Sequence, residues 1–328
     1  MRKYPAVRQV ALLLPALLLT FLPTFCCFSQ TSANSSAYIP NEVYRSADNQ
    51  VSVESLGQGV YLFRWWPGLY VSPFLVSEHE VVVVDPVNDT VAALYKKAIV
   101  SVTNKPITTV IYSHDHLDHI SGAKTIAPDA QIYAHPGIST FLRQRGQADV
   151  LMPTRDLNGG DVLRFGKYSI AAHYFGPNHG DFNVALGFDT GIGSLLVLVD
   201  TIEIGIAPYR SLPDTNFNGY LNTLEQAAAL NPDWVLGGHS GPGSGDWLTL
   251  FLGYFRDMRN ALAEAERVIV EQPAADGEDF IVASERHISK VVEHAVDMLR
   301  PVYGHWRGFE QWAPMNAQTI RMAIIIGK

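Results

Sequence analysis

The stretch Ser113-His114-Asp115-His116-Leu117-Asp118-His119 places three imidazoles and two carboxylates within seven residues, directly after an apolar run. Side chains two positions apart in an extended segment point the same way, so His114 and His116 can bind one metal ion. Asp118 and His119 follow a bend and can reach a second ion. A solvated His-rich loop is the alternative interpretation. Because the block lies between a strand pattern and a helix pattern, a metal site is favoured.

The segments around this block alternate between strand and helix patterns. Strands are predicted at residues 81–84, 107–112 and 131–134, and helices at residues 90–102, 120–126 and 137–145. Such alternation predicts a sheet that is at least partly parallel. Asp85, at the end of the four-valine strand, is either a turn residue or a carboxylate that braces the metal loop.

Further strand patterns occur on both sides of this region. They cover residues 51–53, 60–66, 74–76, 162–165, 168–174, 183–188, 195–199 and 234–236. A short polar turn separates residues 74–76 from residues 81–84, which predicts a buried hairpin. Residues 31–50 are predicted to be an irregular lead-in.

Three more candidate ligands lie beyond the first block. His179 occurs in a Gly-Pro-Asn-His loop, Asp200 follows the apolar strand at residues 195–199, and His239 follows two glycines after the strand at residues 234–236. Potential metal ligands thus follow predicted strands in three separate regions of the chain.

Residues 1–30 have the pattern of a signal peptide. Three basic residues and no acidic residue accompany an apolar run that Pro15 and Pro23 interrupt. Cleavage would give a secreted or periplasmic protein without a stable membrane anchor, and a retained transmembrane anchor is the alternative. Cys26 and Cys27 lie in this segment, so the mature chain is expected to bind metal through nitrogen and oxygen atoms alone.

The charge of the chain argues against nucleic acid as a partner. The formal net charge is −8, and loss of residues 1–30 would make it −11. An acidic chain without a basic run repels phosphate backbones, so we expect a small-molecule substrate. The sequence does not decide the oligomeric state.

The C-terminal part is predicted to be helical. Helices are expected at residues 247–270 and 278–299, with Pro301 as a stop signal, and a short element is expected at residues 317–326. No clean linker or repeat separates them from the preceding strands. Residues 51–328 are therefore interpreted as one domain with a helical elaboration from about residue 246.

Together, the ordered set His-x-His-x-Asp-His, Gly-Pro-Asn-His, Asp after an apolar strand, and Gly-Gly-His resembles the metallo-β-lactamase superfamily. The resemblance covers roughly residues 51–245. It implies an α/β fold, the αββα sandwich, with two metal ions at one edge of the paired sheets.

The resemblance also implies a ligand for each position of the metal centre. His114, His116 and His179 would bind the first ion, Asp118, His119 and His239 the second, and Asp200 would bridge them. Zinc is the expected metal, with iron or manganese as alternatives, because histidine and carboxylate ligands do not select one metal. Six further histidines lack partners in the pattern and are interpreted as surface or packed residues: His79, His135, His173, His287, His294 and His305.

The chemistry implied by the resemblance is hydrolysis. A metal-bridging hydroxide would attack a carboxylic ester, lactone, thioester or β-lactam, and Asp118 would be catalytic because it orients the nucleophile as well as binding metal. A mononuclear iron oxidoreductase with dioxygenase-like chemistry and a non-catalytic metal-binding protein are alternatives on the same fold. The complete ligand set favours the hydrolase.

The substrate is less constrained by the sequence. The absence of a cysteine beside Asp200 disfavours the best-known β-lactamase subclasses. Related lactonases carry tyrosine three residues after the bridging aspartate, where this chain has Glu203, and Tyr209 is interpreted as a surface or packed tyrosine. Candidate pocket walls are the loop at residues 203–218 and the side chains of Trp65, Trp66 and Tyr70.

Overall fold

The computed structural model describes residues 38–147 and 149–327 of the chain. The predicted signal peptide and both cysteines lie outside these residues. The first part of the described chain forms β1 (Glu42–Arg45), β2 (Val51–Gly57), β3 (Val60–Trp65), β4 (Tyr70–Val76), β5 (Val81–Val84), α1 (Asp89–Val102), β6 (Ile107–Ile111), α2 (Leu117–Ile120), α3 (Ala123–Ile126), β7 (Gln131–Ala134), α4 (Pro136–Gln144) and β8 (Arg155–Asp156). The second part forms β9 (Val162–Phe165), β10 (Tyr168–His173), β11 (Ala185–Thr190), β12 (Gly193–Val197), α5 (Phe217–Ala229), β13 (Trp234–Leu236), β14 (Gly243–Ser244), α6 (Asp246–Val268), α7 (Phe280–Tyr303) and α8 (Phe309–Ile326).

The strands form two sheets. In the first sheet, β1 to β8 lie side by side in chain order, antiparallel up to β5 and parallel from β5 to β8. The second sheet has the order β14-β13-β12-β11-β10-β9, and its only parallel pair among the described strands is β12 with β13. The predicted mixed sheet and the predicted hairpin of β4 and β5 are confirmed.

Strand β5 shows how the layers pack. Val82 and Val84 lie in the core between the two sheets, together with Leu186 and Val197 of the second sheet. Val81 and Val83 face the other way. Because successive side chains of a strand alternate between faces, a strand of four valines suits a sheet that is covered on both sides.

Helices cover the outer face of each sheet. Helix α1 begins after Asn88, whose side chain accepts a hydrogen bond from the Val91 N–H at 3.1 Å, and Tyr95 packs with Phe63 of the first sheet. Helices α5 to α8 cover the second sheet in one apolar cluster. This arrangement is the αββα sandwich with additional C-terminal helices, so the predicted fold class is confirmed.

Two local predictions in the first half of the chain are corrected. The lead-in contains β1, an edge strand of mostly exposed residues that pairs only with β2 and therefore has no apolar pattern. The helix predicted at residues 120–126 is divided into α2 and α3 around Gly122, where a Cβ would lie 2.6 Å from Ala92 Cβ and 2.7 Å from the Pro86 carbonyl oxygen. The chain turns there because it packs directly against α1.

The last two C-terminal helices are longer than predicted. Pro301 lies inside the last turn of α7, which continues to Tyr303 because Leu299 and Tyr303 are buried in the helical cluster. The short element predicted at residues 317–326 is the second half of α8, which includes Pro314. Across the described residues, every helix is too short or too polar to span a bilayer.

Candidate metal centre

The predicted ligands meet at one edge of the sandwich because of strand direction. Strand β6 leads into residues 113–119, and the parallel pair β12 and β13 brings Asp200 and His239 to the same edge. The carboxyl ends of parallel strands lie together, so side chains far apart in sequence become neighbours. His179 reaches the edge from the loop between β10 and β11.

The seven predicted residues form two adjacent groups. One group contains His114, His116, His179 and Asp200, and the other contains Asp118, His119 and His239. Within each group, one potential ligand atom per residue lies within 4.8 Å of all the others. The structure therefore brings together every predicted ligand and divides them as the family resemblance implies.

Asp200 lies between the two groups. Its Oδ2 is 3.1 Å from His119 Nε2 and 3.5 Å from His179 Nε2, and its Oδ1 is 3.3 Å from His239 Nε2. Its backbone adopts a left-handed conformation, with φ of 57°. Non-glycine residues rarely adopt this conformation, and it recurs at functional sites where the surrounding structure enforces it. This geometry gives Asp200 the position of a shared ligand.

The centre has buried polar atoms that need a partner. His114 Nε2, His119 Nε2 and Asp200 Oδ1 are buried without a hydrogen bond in the described structure. Leaving such atoms unpaired costs about 1–3 kcal/mol each. A cation satisfies these nitrogen and oxygen donors together, so the residues fit divalent metal ions.

Comparison with known proteins agrees with this geometry. The sequence profile of the Metallo-beta-lactamase superfamily matches residues 66–239, which is more than half of the chain. The chain belongs to the metallo-β-lactamase superfamily. The match extends from the end of β3 to the last predicted metal ligand, His239, and stops before α6.

One curated relative is the 2,4-dinitroanisole O-demethylase subunit alpha of Nocardioides sp. (strain JS1661). It is 32% identical over 151 residues, which is 45% of this chain and 45% of the relative. The aligned region thus spans less than half of the relative's length.

In this superfamily member, a hydrogen-bond chain orients His114. Ser113 donates its hydroxyl to Asp85 Oδ2 at 2.6 Å and its backbone N–H to Asp85 Oδ1 at 2.8 Å, while Ser113 Oγ lies 2.8 Å from His114 Nδ1. Because the single hydroxyl proton goes to the carboxylate, the Ser113 oxygen accepts from His114 Nδ1–H. Nε2 of His114 is then unprotonated and available for a cation. Of the two interpretations of Asp85, the structure supports the brace.

His116 is oriented by a residue that sequence reasoning missed. Its Nε2 lies 3.1 Å from Asp214 Oδ2, while its Nδ1 lies 3.1 Å from His179 Nε2 inside the cluster. A carboxylate that accepts from one ring nitrogen leaves the other as the metal-binding atom. Asp214 lies in the polar loop after Asp200 and has no distinguishing spacing in the sequence.

The second group is held by Tyr70 and Glu203. The Tyr70 hydroxyl donates to Asp118 Oδ2 at 2.8 Å, and its ring centroid lies 4.5 Å from that of His239. Glu203 Oε1 accepts from the backbone N–H groups of Gly238 at 3.1 Å and His239 at 3.0 Å. Glycine is required before His239 because a Cβ at Gly238 would collide with Asp200 Oδ1.

Two histidines of the first group, His114 and His179, are neutral. Burial lowers the pKa of His114 well below its ordinary value and that of His179 to about 4. Neutral imidazole is the form that binds metal, so these two ligands are ready for an ion at neutral pH.

The second group holds protons in the absence of metal. Burial lowers the pKa of His119, but the attraction of the Asp200, Asp85 and Asp118 carboxylates outweighs it and raises that pKa to about 9. Burial opposes charge on His239 too, and Asp200 again raises the pKa. Burial disfavours the Asp200 carboxylate, yet His119 and His239 hold its pKa well below the usual range. A cation would replace these imidazole protons.

A cavity of about 760 Å³ opens onto both groups. The loop at residues 203–218 forms one wall, as predicted, and Tyr209 is part of it. Of the three predicted aromatic wall residues, only Tyr70 lines the cavity. Trp65 packs beneath Tyr70 at a centroid distance of 6.0 Å, and Trp66 lies on the surface with Arg64 over its ring.

A further part of the cavity wall comes from the C-terminal helices, which sequence reasoning did not assign to the pocket. Phe251 of α6 contributes, as do residues at the start of α8 and just before it: Arg307, Gly308, Gln311 and Trp312. These residues lie outside the region that matches the superfamily profile.

The remaining histidines lie outside the two groups. His173, close in sequence to His179, lies on β10 and stacks on Phe175 at a centroid distance of 5.9 Å. His135 caps α4, where its Nδ1 accepts from the Gly137 N–H, and His287 pairs with Glu266 at 3.3 Å. Their contacts are those of packed or surface residues.

Proposed function

We propose that the chain is a dinuclear metal-dependent hydrolase that cleaves a carboxylic ester, lactone, thioester or β-lactam. The observation that carries this proposal is the pair of adjacent ligand groups with Asp200 between them, in which three buried ligand atoms form no hydrogen bond in the described structure. Superfamily membership supports it. A non-catalytic member is disfavoured because neither group lacks a ligand.

The protein residues and the ions have separate tasks in this proposal. The two ligand groups would hold two divalent ions, which would supply a water whose pKa is lowered toward ~7 and would polarise the bond under attack. Asp118 is the catalytic residue: its carboxylate faces the cavity, and Tyr70 fixes its orientation through Oδ2. An oriented carboxylate accepts the proton of the attacking water and returns it to the leaving group.

Zinc is the proposed metal. The donors are imidazole nitrogens and carboxylate oxygens in groups of three and four, which suits zinc with a position left for water. Iron and manganese accept the same donors. Elemental analysis of the purified protein is expected to give about two ions per chain, and a single ion would contradict the dinuclear centre.

A substrate panel tests the reaction class. The metal-loaded protein is expected to hydrolyse at least one of four compounds: an aryl ester, a lactone, a thioester and a β-lactam. Chelation should remove the activity, and added zinc should restore it. A fully metallated protein that leaves all four compounds intact would contradict the proposed function.

Removal of an O-methyl group is a second candidate, since the name of the relative records an O-demethylation. Hydrolysis of an aryl methyl ether adds hydroxide to the ring carbon and releases methanol. Oxidation of the methyl group by iron and O₂ releases formaldehyde instead, and it needs two electrons from an added reductant to convert the second oxygen atom to water. With 2,4-dinitroanisole as the probe, methanol without O₂ uptake supports a hydrolase, whereas formaldehyde with O₂ uptake supports the mononuclear iron oxidoreductase.

We also propose a secreted or periplasmic location and a small-molecule substrate without nucleic acid. The pattern of residues 1–30 and the formal net charge of −8 support these proposals. Mass spectrometry of the N-terminus of the protein from cells is expected to find it shortened by about 30 residues, the typical length of a signal segment. An intact N-terminus in the cytoplasmic fraction would contradict this location.

A further inference from the structure

We propose that Arg307, together with the aromatic wall of Tyr209 and Trp312, binds the carboxylate of a small aromatic substrate. The ring would pack against the aromatic wall, and the carboxylate would bind the guanidinium. The inference rests on the proposed hydrolase function, because it names the substrate class of the same cavity.

The backbone of Arg307 is fixed in this wall. Its N–H donates to the Gly205 carbonyl at 2.9 Å, and its own carbonyl accepts from the Ala207 N–H at 3.0 Å. These bonds connect the segment between α7 and α8 to the loop that follows Asp200. They involve no side-chain atom of Arg307, so a substitution there leaves the wall in place.

Helix α8 holds the rest of the loop. Asn316 is fully buried, and its Nδ2 donates to the carbonyls of Pro208 and Arg210 while its Oδ1 accepts from the Tyr254 hydroxyl at 2.7 Å. Thr319 donates to the Ser211 carbonyl at 2.8 Å. A wall held by this many bonds is organised before a ligand arrives, which lowers the entropic cost of binding.

A basic side chain in the cavity wall points to an anion, because the lining carboxylates Asp118, Asp200 and Glu203 belong to the metal centre or support it. Arg307 is the sole lysine or arginine among its lining residues. Among the described residues, its side chain forms no ion pair or hydrogen bond, although acids outnumber bases in the chain by 32 to 24. The guanidinium group binds a carboxylate through two parallel hydrogen bonds.

The aromatic pair beside Arg307 points to a ring. Tyr209 and Trp312 meet edge to face at a centroid distance of 5.1 Å, and Tyr209 is 55% exposed. A core pair would be buried, so this pair offers an open surface on which a ring can pack. Gly308 has φ of 78° and carries no Cβ, which would lie 2.8 Å from Trp312 Cε3. This glycine lets Trp312 lie over the turn and face the cavity.

The test compares two ligands that differ only in charge. Binding of 4-hydroxybenzoate and 4-hydroxybenzamide to the metal-loaded full-length protein is measured by calorimetry. The benzoate is expected to bind at least about tenfold more tightly than the amide. Arg307→Gln should remove that preference. Arg259→Gln is the matched control, because Arg259 is also an exposed arginine but lies on α6 outside the cavity lining, and it should keep the preference.

Two results would overturn the inference. A benzoate preference that persists in Arg307→Gln would place the carboxylate elsewhere, for example on the metal ions, and equal binding of both ligands to the unaltered protein would remove the anion site.

Turnover of 4-acetoxybenzoate and 4-acetoxybenzamide separates this inference from the proposed function. Arg307→Gln should raise KM for the carboxylated ester about tenfold and leave its kcat and the neutral ester nearly unchanged. If the ligand preference depends on Arg307 but no substrate of the panel is hydrolysed, the hydrolase proposal fails and the binding subsite stands. If esters are hydrolysed without dependence on Arg307, the subsite fails alone.

Discussion

The two ligand groups of the metal centre differ in burial and in protonation. In the first group, His114 is fully buried and is braced through Ser113 by Asp85. In the second group, the Asp118 side chain is 51% exposed and faces the cavity. The first group, hereafter the buried group, is therefore suited to holding its ion. The second group, hereafter the open group, is suited to meeting the substrate.

The largest expected effect comes from breaking the open group. Asp118→Ala or His119→Ala should lower kcat by on the order of 10³-fold or more, because each removes a ligand and Asp118 also handles the proton. Steady-state assays with the best substrate of the panel measure this loss. The control is Asp181→Asn, an exposed carboxylate near His179 that belongs to neither group. Full activity of either alanine variant would refute the assignment of the site.

The buried group can be disturbed more selectively by removing the hydrogen bonds that orient His114. Ser113→Ala removes the hydroxyl that connects Asp85 to His114, and loss of such a partner costs about 10–100-fold in metal affinity. Competition with a chelator measures the effect. The control is Ser52→Ala. Ser52 is an equally buried serine of β2, and its hydroxyl oxygen accepts a hydrogen bond from the Trp66 Nε1–H. This substitution should lower stability and leave metal affinity unchanged, and equal metal affinity in both variants would count against the brace.

The two ligand groups should differ in how their metal affinity depends on pH. His119, with a pKa of about 9, is protonated at neutral pH in the metal-free protein, so an ion in the second group must displace that proton. Its affinity should fall about tenfold per pH unit below pH 9 for each proton displaced. His179, with a pKa of about 4, is already neutral above pH 5, so it adds no pH dependence to metal binding in the first group there.

Calorimetry in buffers of different ionisation enthalpy counts the protons released by each ion. Proton release should accompany binding of the ion of the second group, and His114 and His179 should contribute none when the first group binds its ion. Equal proton release in both binding steps would contradict the difference in protonation between the groups.

The metal ligands could be predicted from the sequence because they follow strands. Each ligand segment comes directly after a β-pattern or in a glycine-marked loop, and parallel pairing then brings the strand ends to one edge. The αββα layers were predictable for a similar reason, since strands such as β5 are apolar on both faces.

Apart from Asp85, the residues that orient the ligands were not predictable from local patterns. Tyr70 is 48 positions from Asp118, and Asp214 is 98 positions from His116. These pairs form only when separate segments meet at the sheet edge, and neither residue has a spacing that distinguishes it. The second wall of the cavity was missed for the same reason, because it belongs to α8 and approaches the ligands only through the folded loop.

The smallest expected effect tests how much the open group depends on the Tyr70 hydroxyl. Tyr70→Phe removes the hydroxyl that holds Asp118 Oδ2 and keeps the ring that packs on His239. Because Asp118 is half exposed, we assign this hydrogen bond only about 1 kcal/mol, which corresponds to about a fivefold loss in kcat. Metal content should stay the same, since the ligand atoms are untouched. Tyr61→Phe, a tyrosine of β3 that stacks on Phe74 away from the centre, is the control. A loss of metal in Tyr70→Phe would mean that the open group needs its brace for binding, as the buried group does, and the contrast between the two groups would then lie in protonation alone.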